Sequence, residues 1–201
     1  MIWDPTASNR VRLAQAGMRL DLGGIAKGYA VDVAYDRLRA MGRRDFLVDL
    51  GGNLRAQGES APRRGGWRTG VRNPFQAAGI VGMILLTNGE SVATSGNYER
   101  FVEMDGHHYA HIMDPRSGRP AEGVAGVTVL APSGLQCDGL SATLFILGPW
   151  EGQKFLTLHR PGCEALWIPD TQPLRLVATS GFARRFHPLP QYRDAVTVLK
   201  P

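Results

Sequence analysis

Cysteine is scarce: only Cys137 and Cys163 occur in 201 residues. Two thiols allow at most one disulfide, and their number and spacing match neither a disulfide framework nor a zinc site. Long apolar runs are also missing, since none approaches the roughly 20 residues that cross a bilayer as a helix. The opening MIWDPTASNRV has no basic stretch followed by an apolar one, so no signal peptide or lipobox is legible in it. Charge of one sign is not gathered either. The net charge is +5, but the basic residues fall in scattered pairs, Arg43-Arg44, Arg63-Arg64 and Arg184-Arg185. That scatter reads as solvated surface rather than a nucleic-acid groove, and it suits an anionic small molecule or an acidic membrane face equally well. No internal repeat or low-complexity tract is present.

Glycine, by contrast, is abundant at 25 residues, clustered as Gly23-Gly24, Gly51-Gly52 and Gly65-Gly66. Clusters of this kind make turns rather than a disordered linker. With 43% hydrophobic and 20% charged residues, the chain can bury one substantial core or two small ones. A polar, extended lead-in runs to Leu20. Ala30, Val33, Ala34, Leu38 and Met41 recur at steps of three and four and predict a helix over 26–41 with that face inward, Asp32, Asp36, Arg37 and Arg39 on other faces, and Gly42 as the stop. Asp45–Leu50 reads as a buried strand turned at Gly51-Gly52 into 53–57. Trp67–Arg72, 82–87 and 91–95 read as strands, the last two joined by a hairpin at Asn88-Gly89. Strands over 98–104 and 107–113 flank Asp105-Gly106 as a second hairpin, and Val124–Ala131 is a β-branched strand. A helix over 138–147, a break at Gly148-Pro149, a second short helix over 150–159, strands over 165–168 and 174–179 and a basic tail after Gly181 complete the chain. Strands outnumber helices and hairpins outnumber crossovers, so the expected class is α+β with a largely antiparallel sheet and two main helices.

Four stretches carry chemistry. DLGGIAKG at Asp21–Gly28 sets paired glycines before a helix start, where backbone amides favour phosphate oxygens. Lys27 opposes the helix dipole there and needs an anionic partner. The pattern is neither a P-loop nor a Rossmann fingerprint, and alone it fits a structural turn as well as a ligand turn. Thr94-Ser95-Gly96-Asn97 offers hydroxyls and amides suited to a diphosphate or ribose, or simply a polar turn at a strand end. In HIMDPRSGRP at His111–Pro120, His111 suits a general base or a structural histidine, whereas zinc has no partner cysteine or His-x-x-x-His helix to support it. Asp138 reads as a helix N-cap or as a hard-metal ligand, with Ser141 on its face and Thr143 pointing away.

In this order, DLGGIAKGYAVD, LVDLGGNLRAQG, ATSGNYERF, YAHIMDPRSGRP, VTVLAP and CDGLSATLFILG resemble the FAD:protein FMN transferase (ApbE) family over nearly the whole chain. The resemblance implies an ApbE-like, T-fold-like architecture. It implies an enzyme that splits FAD with Mg²⁺, transfers FMN to a Ser or Thr hydroxyl of a target protein, and releases AMP. It makes Asp21, Lys27, Thr94, Ser95, Gly96 and the Ile112 backbone flavin-nucleotide contacts. Gly24 (through its carbonyl), Asp138 and Ser141 become the metal site, and His111 the base. The implied target is a subunit of a respiratory or redox membrane complex, at the periplasmic face of the inner membrane; nucleic acid is not expected. Family members commonly carry threonine four residues after the helix aspartate, where this chain has Ala142. They also begin well upstream, so residues 1–201 are expected to be a single domain unit, the C-terminal part of the usual family domain. FAD pyrophosphatase activity and a catalytically impaired FAD-binding homologue are the alternatives.

Overall fold

The computed structural model describes residues 2–3, 11–60, 65–97, 101–104, 107–110 and 112–200. In chain order the elements begin with β1 (Ile2–Trp3), β2 (Val11–Arg12), α1 (Ala26–Ala40), β3 (Phe46–Leu50), β4 (Asn53–Gln57), β5 (Trp67–Arg72), β6 (Ile80–Leu86) and β7 (Ser91–Gly96). There follow β8 (Phe101–Met104), β9 (His107–Ala110), β10 (Met113–Asp114), β11 (Arg119–Pro120), β12 (Val124–Ala131) and α2 (Gly134–His159). The chain closes with β13 (Glu164–Pro169), β14 (Leu176–Thr179), α3 (Ser180–Ala183), β15 (Phe186–Pro188), a 3-10 helix (Pro190–Ala195) and β16 (Val196–Leu199). No described helix is long and apolar enough to cross a membrane.

A seven-stranded sheet, ordered β16-β14-β13-β12-β7-β4-β3, forms the middle layer. All its pairs are antiparallel except β14 with β16. The expected α+β class with a largely antiparallel sheet is therefore observed. The central strand β12 is buried at every position, and its period of two divides the core. Val127, Val129 and Ala131 pack with Leu140, Leu144 and Phe145 of α2. Leu130 faces the other way, packing with Val81, Ile84 and Leu86 of β6. The second sheet, β15-β6-β5, covers that face. Helix α1 lies beside α2 and buries Val31 and Tyr35 against Val48 of β3.

Several sequence expectations need correction. Helix α1 is rotated from the expected face: Gly28, Val31 and Tyr35 are buried, while Val33 and Met41 are 50% and 62% exposed. The cause is Asp32, which points inward to partners that a count of apolar residues does not register. Gly42 ends the helix as expected, in the left-handed region at φ 77°. Asn88-Gly89 does not make a hairpin, because β6 and β7 belong to different sheets. The turn is held instead by its neighbours: Gly89 N donates to Ala56 O (2.8 Å) and Gly58 N to Asn88 Oδ1 (2.6 Å). Strand β3 is an edge strand with only Val48 buried, not a fully buried one. Helix α2 starts one turn before Asp138, with Ser133 as N-cap accepting from Gln136 N, so Asp138 is not the cap. Its interruption falls where expected, at Gly148 (φ 70°, ψ −178°) before Pro149. The segment after Gly181 is not a tail: β15 and β16 add edges to both sheets, burying Phe186 and Leu199. The β8/β9 hairpin pairs Phe101 with Ala110 through Met104 with His107; its Asp105-Gly106 turn lies outside the described residues.

Candidate functional site

The site is built where α1 and α2 cross with their backbones in contact. A Cβ on Gly134 would stand 2.6 Å from Gly28 O, and one on Gly28 would overlap Gly134 O and lie 2.7 Å from Asp138 Cβ. Only glycine at both positions permits this approach. Four residues beyond each glycine comes an aspartate, so the two helices carry the same Gly-x-x-x-Asp arrangement, at 28–32 and 134–138. The aspartates are exchanged. Asp138 Oδ2 accepts from Gly28 N (2.8 Å), a first-turn amide of α1, whose own N-cap residue Ile25 supplies no side-chain bond. Asp32 accepts from Gly134 N through Oδ1 (2.7 Å) and from Leu135 N through Oδ2 (2.9 Å), the first two amides of α2. Each helix thus has orphan N-terminal donors satisfied by a carboxylate from the other.

Asp138 is 7% exposed. Three residues on, Ser141 shares its face, as its spacing implies; it is 1% exposed and donates Oγ–H to the Asp138 carbonyl (2.9 Å). That leaves Ser95 Oγ, 2.7 Å away, as donor in the hydroxyl pair joining β7 to α2. Thr143 is directed elsewhere and bonds back to Gly139 O (2.9 Å). The DLGGIAKG turn reaches this cluster through Ile25, whose Cγ2 would be 3.6 Å from a Cβ on Gly139. Asp21 and Gly24 lie exposed on that turn and Lys27 lies exposed in the first turn of α1, with Asp21 Oδ1 accepting from Gly23 N (2.7 Å). One carboxylate and two hydroxyls make an oxygen set suited to a hard cation. Among the described residues no group of three or more His, Cys, Asp or Glu side chains completes a cage. Such a set fits Mg²⁺, which is commonly held by one or two carboxylates and completed by water and substrate phosphates.

Other expected residues are placed apart. Thr94 projects from the opposite face of β7, where its Oγ1 meets Thr128 Oγ1 (2.9 Å) in a 230 Å³ cleft between the sheets with Asp49, Thr69 and Arg72. Gly96 pairs with Gly126 of β12. Ile112 is buried in the α2 core, and its carbonyl accepts from Ala121 N (2.8 Å). Asp114 shapes the following turn, holding Arg116 through its backbone and guanidinium, and these bonds keep its carboxyl below the ordinary range. His111 lies outside the described residues. A cleft of about 710 Å³ lies elsewhere, bordered by Tyr35, Glu90, Pro132 and Glu164. Its Arg55 and Arg185 are already paired with Asp32 and Glu90.

Sequence reasoning missed Asp32, Arg55 and Asn53. Arg55 donates to Asp32 Oδ1 (2.7 Å), Gly89 O (3.1 Å) and Pro132 O (3.2 Å), and its guanidinium lies 3.9 Å from the Tyr35 ring centre. Asn53, 2% exposed, has a buried amide nitrogen with no partner among the described residues. Alternation puts it on the helix-facing side of β4 with Arg55. The signal that could have found Asp32 is the repeated Gly-x-x-x-Asp spacing.

A family model described as the ApbE family matches residues 1–167, and the chain belongs to that family. It is 40% identical over 188 residues to the FAD:protein FMN transferase of Treponema pallidum, covering 89% of this chain and 51% of that protein. The FAD:protein FMN transferase of Klebsiella pneumoniae is 39% identical over 191 residues, 94% of this chain and 57% of its own length. Among solved structures, the ApbE protein of Thermotoga maritima matches with a TM-score of 0.73 and 33% identity, over 83% of this chain and 53% of that one. The chain spans about half the length of the curated relatives it matches.

Proposed function

We propose that this protein transfers the FMN half of FAD to a Ser or Thr hydroxyl of a target protein, with Mg²⁺, and releases AMP. The observation that carries the reading is the joining of three family-like segments through the Asp138–Ser141 helix: the glycine turn by the Gly28–Asp138 hydrogen bond and the Ser95 strand end by the Ser95–Ser141 hydroxyl pair. Asp138, Ser141 and the Gly24 carbonyl would hold the cation, which neutralises charge on the diphosphate when bound. Lys27 and the turn amides bind and orient the diphosphate beside the α1 N-terminus. Asp21, Ser95, Gly96 and the Ile112 backbone complete the nucleotide contacts, while Thr94 lines the opposite cleft. The target hydroxyl attacks the FMN-side phosphorus as the bond to AMP breaks, and His111 takes the hydroxyl proton. The acceptor is a subunit of a respiratory or redox membrane complex at the periplasmic face of the inner membrane, and residues 1–201 act as one unit.

Incubation with FAD, Mg²⁺ and a peptide bearing an acceptor Ser or Thr tests this. Covalent FMN on the peptide with stoichiometric AMP is expected. Free FMN and AMP without labelled peptide would make the protein a pyrophosphatase, with water replacing the hydroxyl. FAD binding without either product would assign it a binding role, with Ala142 as the first residue to restore to threonine.

A further inference from the structure

Arg55 and Asp32 form a mostly buried pair, with side chains 14% and 17% exposed. Every Arg55 nitrogen is engaged, on Asp32, Gly89 O and Pro132 O, and its flat face is taken by Tyr35. Both Asp32 oxygens are engaged as well, on Gly134 N, Leu135 N and Arg55. Each Arg55 nitrogen and each Asp32 oxygen thus has a protein partner that holds the pair in place. Asp138, its counterpart in the exchanged caps, differs: among the described residues only Oδ2 is engaged, on Gly28 N. One carboxylate of the symmetric pair is thus locked by an arginine, and the other, on the helix face shared with Ser141, keeps its second oxygen without a partner among the described residues.

We propose that Asp32 and Arg55 are positioning residues that set the divalent-cation affinity of the site at Asp138 and Ser141. They do so by fixing the first turn of α2 against α1. Gly28 and Gly134 are in backbone contact and act as the pivot. Asp138 sits one turn beyond that pivot, so a tilt of α2 displaces its carboxylate from the Gly28 amide and from the DLGGI turn. Asp32 opposes that tilt through Gly134 N and Leu135 N, as Asp138 does through Gly28 N. The proposal rests on the metal reading above and deepens it.

The test uses the full chain without FAD and Mn²⁺ as the probe, titrated by electron paramagnetic resonance at a temperature well below unfolding. Asp32→Asn keeps the shape but cannot accept from two amides and Arg55 at once. Its Mn²⁺ affinity is expected to fall about tenfold or more, the usual range when a partner behind a metal ligand is removed. Arg55→Lys retains the charge but loses the fork and the ring stack, and is expected to shift affinity the same way by less. A merely structural role would lower the melting temperature of these variants and leave their Mn²⁺ affinity alone. If folded Asp32→Asn and Arg55→Lys both bind within about twofold of wild type, the proposal is overturned; should Asp32→Asn not fold, Arg55→Lys decides by itself. If the wild type binds no Mn²⁺, or Asp138→Asn binds it equally well, the metal reading fails first and this inference fails with it.

Discussion

A methyl group on Gly28 would overlap the Gly134 carbonyl and stand 2.7 Å from Asp138 Cβ. Alanine normally strengthens a helix by up to about 1 kcal/mol over glycine, but here the obstacle is backbone of a packed neighbour. Overpacking of that kind costs about 1–3 kcal/mol, so Gly28→Ala should be destabilised overall, as read by urea unfolding. Gly139, on the same helix as Asp138, would meet only Ile25 Cγ2 at an ordinary 3.6 Å, so Gly139→Ala should be neutral or stabilising. The pair of variants separates a close approach from a general intolerance of side chains in this region. Residues of the site were unevenly legible in the sequence. Asp138 and Ser141 share a face by helix spacing alone, and the structure brings them together with Ser95. Thr94 and Ser95 looked equivalent in sequence, yet strand alternation sends their hydroxyls to opposite layers. Asp32 was harder to find because the amides it caps lie more than a hundred positions away, and only the repeated Gly-x-x-x-Asp spacing marks it.

Among the elements, two connections deserve experiments. Glu90, at the turn leading into β7, grips Arg185, which precedes β15, and so ties the middle sheet to the smaller one. Burial works to raise the Glu90 pKa, but hydrogen bonds from Arg185 and Thr87 outweigh it and hold it below the ordinary 4.5. A carboxylate depressed in the folded state contributes stability that is complete above its unfolded pKa and is lost as pH falls through the folded one. Wild type should therefore lose more of its urea midpoint than Glu90→Gln when both are moved from neutral pH to below 4.5, the variant starting lower at neutral pH. The second connection is the interruption of α2. Gly148 combines φ 70° with ψ −178°, a region almost reserved for glycine, where other residues carry about 1–3 kcal/mol of strain. Gly148→Ala should lose stability in that range. This break was readable from Gly148-Pro149, because both residues act through their own backbone. The Asn88-Gly89 turn was misread for the opposite reason: its residues fix a chain reversal, but packing decides which sheet the next strand joins.

For the molecule as a whole, the two thiols offer a probe. Cys137 and Cys163 are both buried, and burial is the main cause that raises both above the ordinary thiol range. A thiol in this state presents little thiolate to a reagent. Neither should react with an aromatic disulfide reagent in the folded protein, and both should do so in step with unfolding by urea. Early reaction of Cys163 alone would show that the end of α2 opens independently of the sheet. The three-layer arrangement itself was only partly foreseeable. Strand count and alternation led to a largely antiparallel α+β fold, but the division of strands between two sheets depends on which apolar faces meet, and β15 and β16 were hidden among arginines.

The exchange of aspartates between α1 and α2 also has a kinetic side. The amides of Gly28, Gly134 and Leu135 are each held by a carboxylate separated from them by over a hundred residues of chain. None can be protected until both helices have docked, and undocking must release all three together. In native-state hydrogen exchange they should share one opening free energy and one dependence on denaturant, while amides deeper in either helix exchange on their own schedules. Two segments far apart in sequence would then behave as a single cooperative unit, formed late in folding because its ends must close so long a loop.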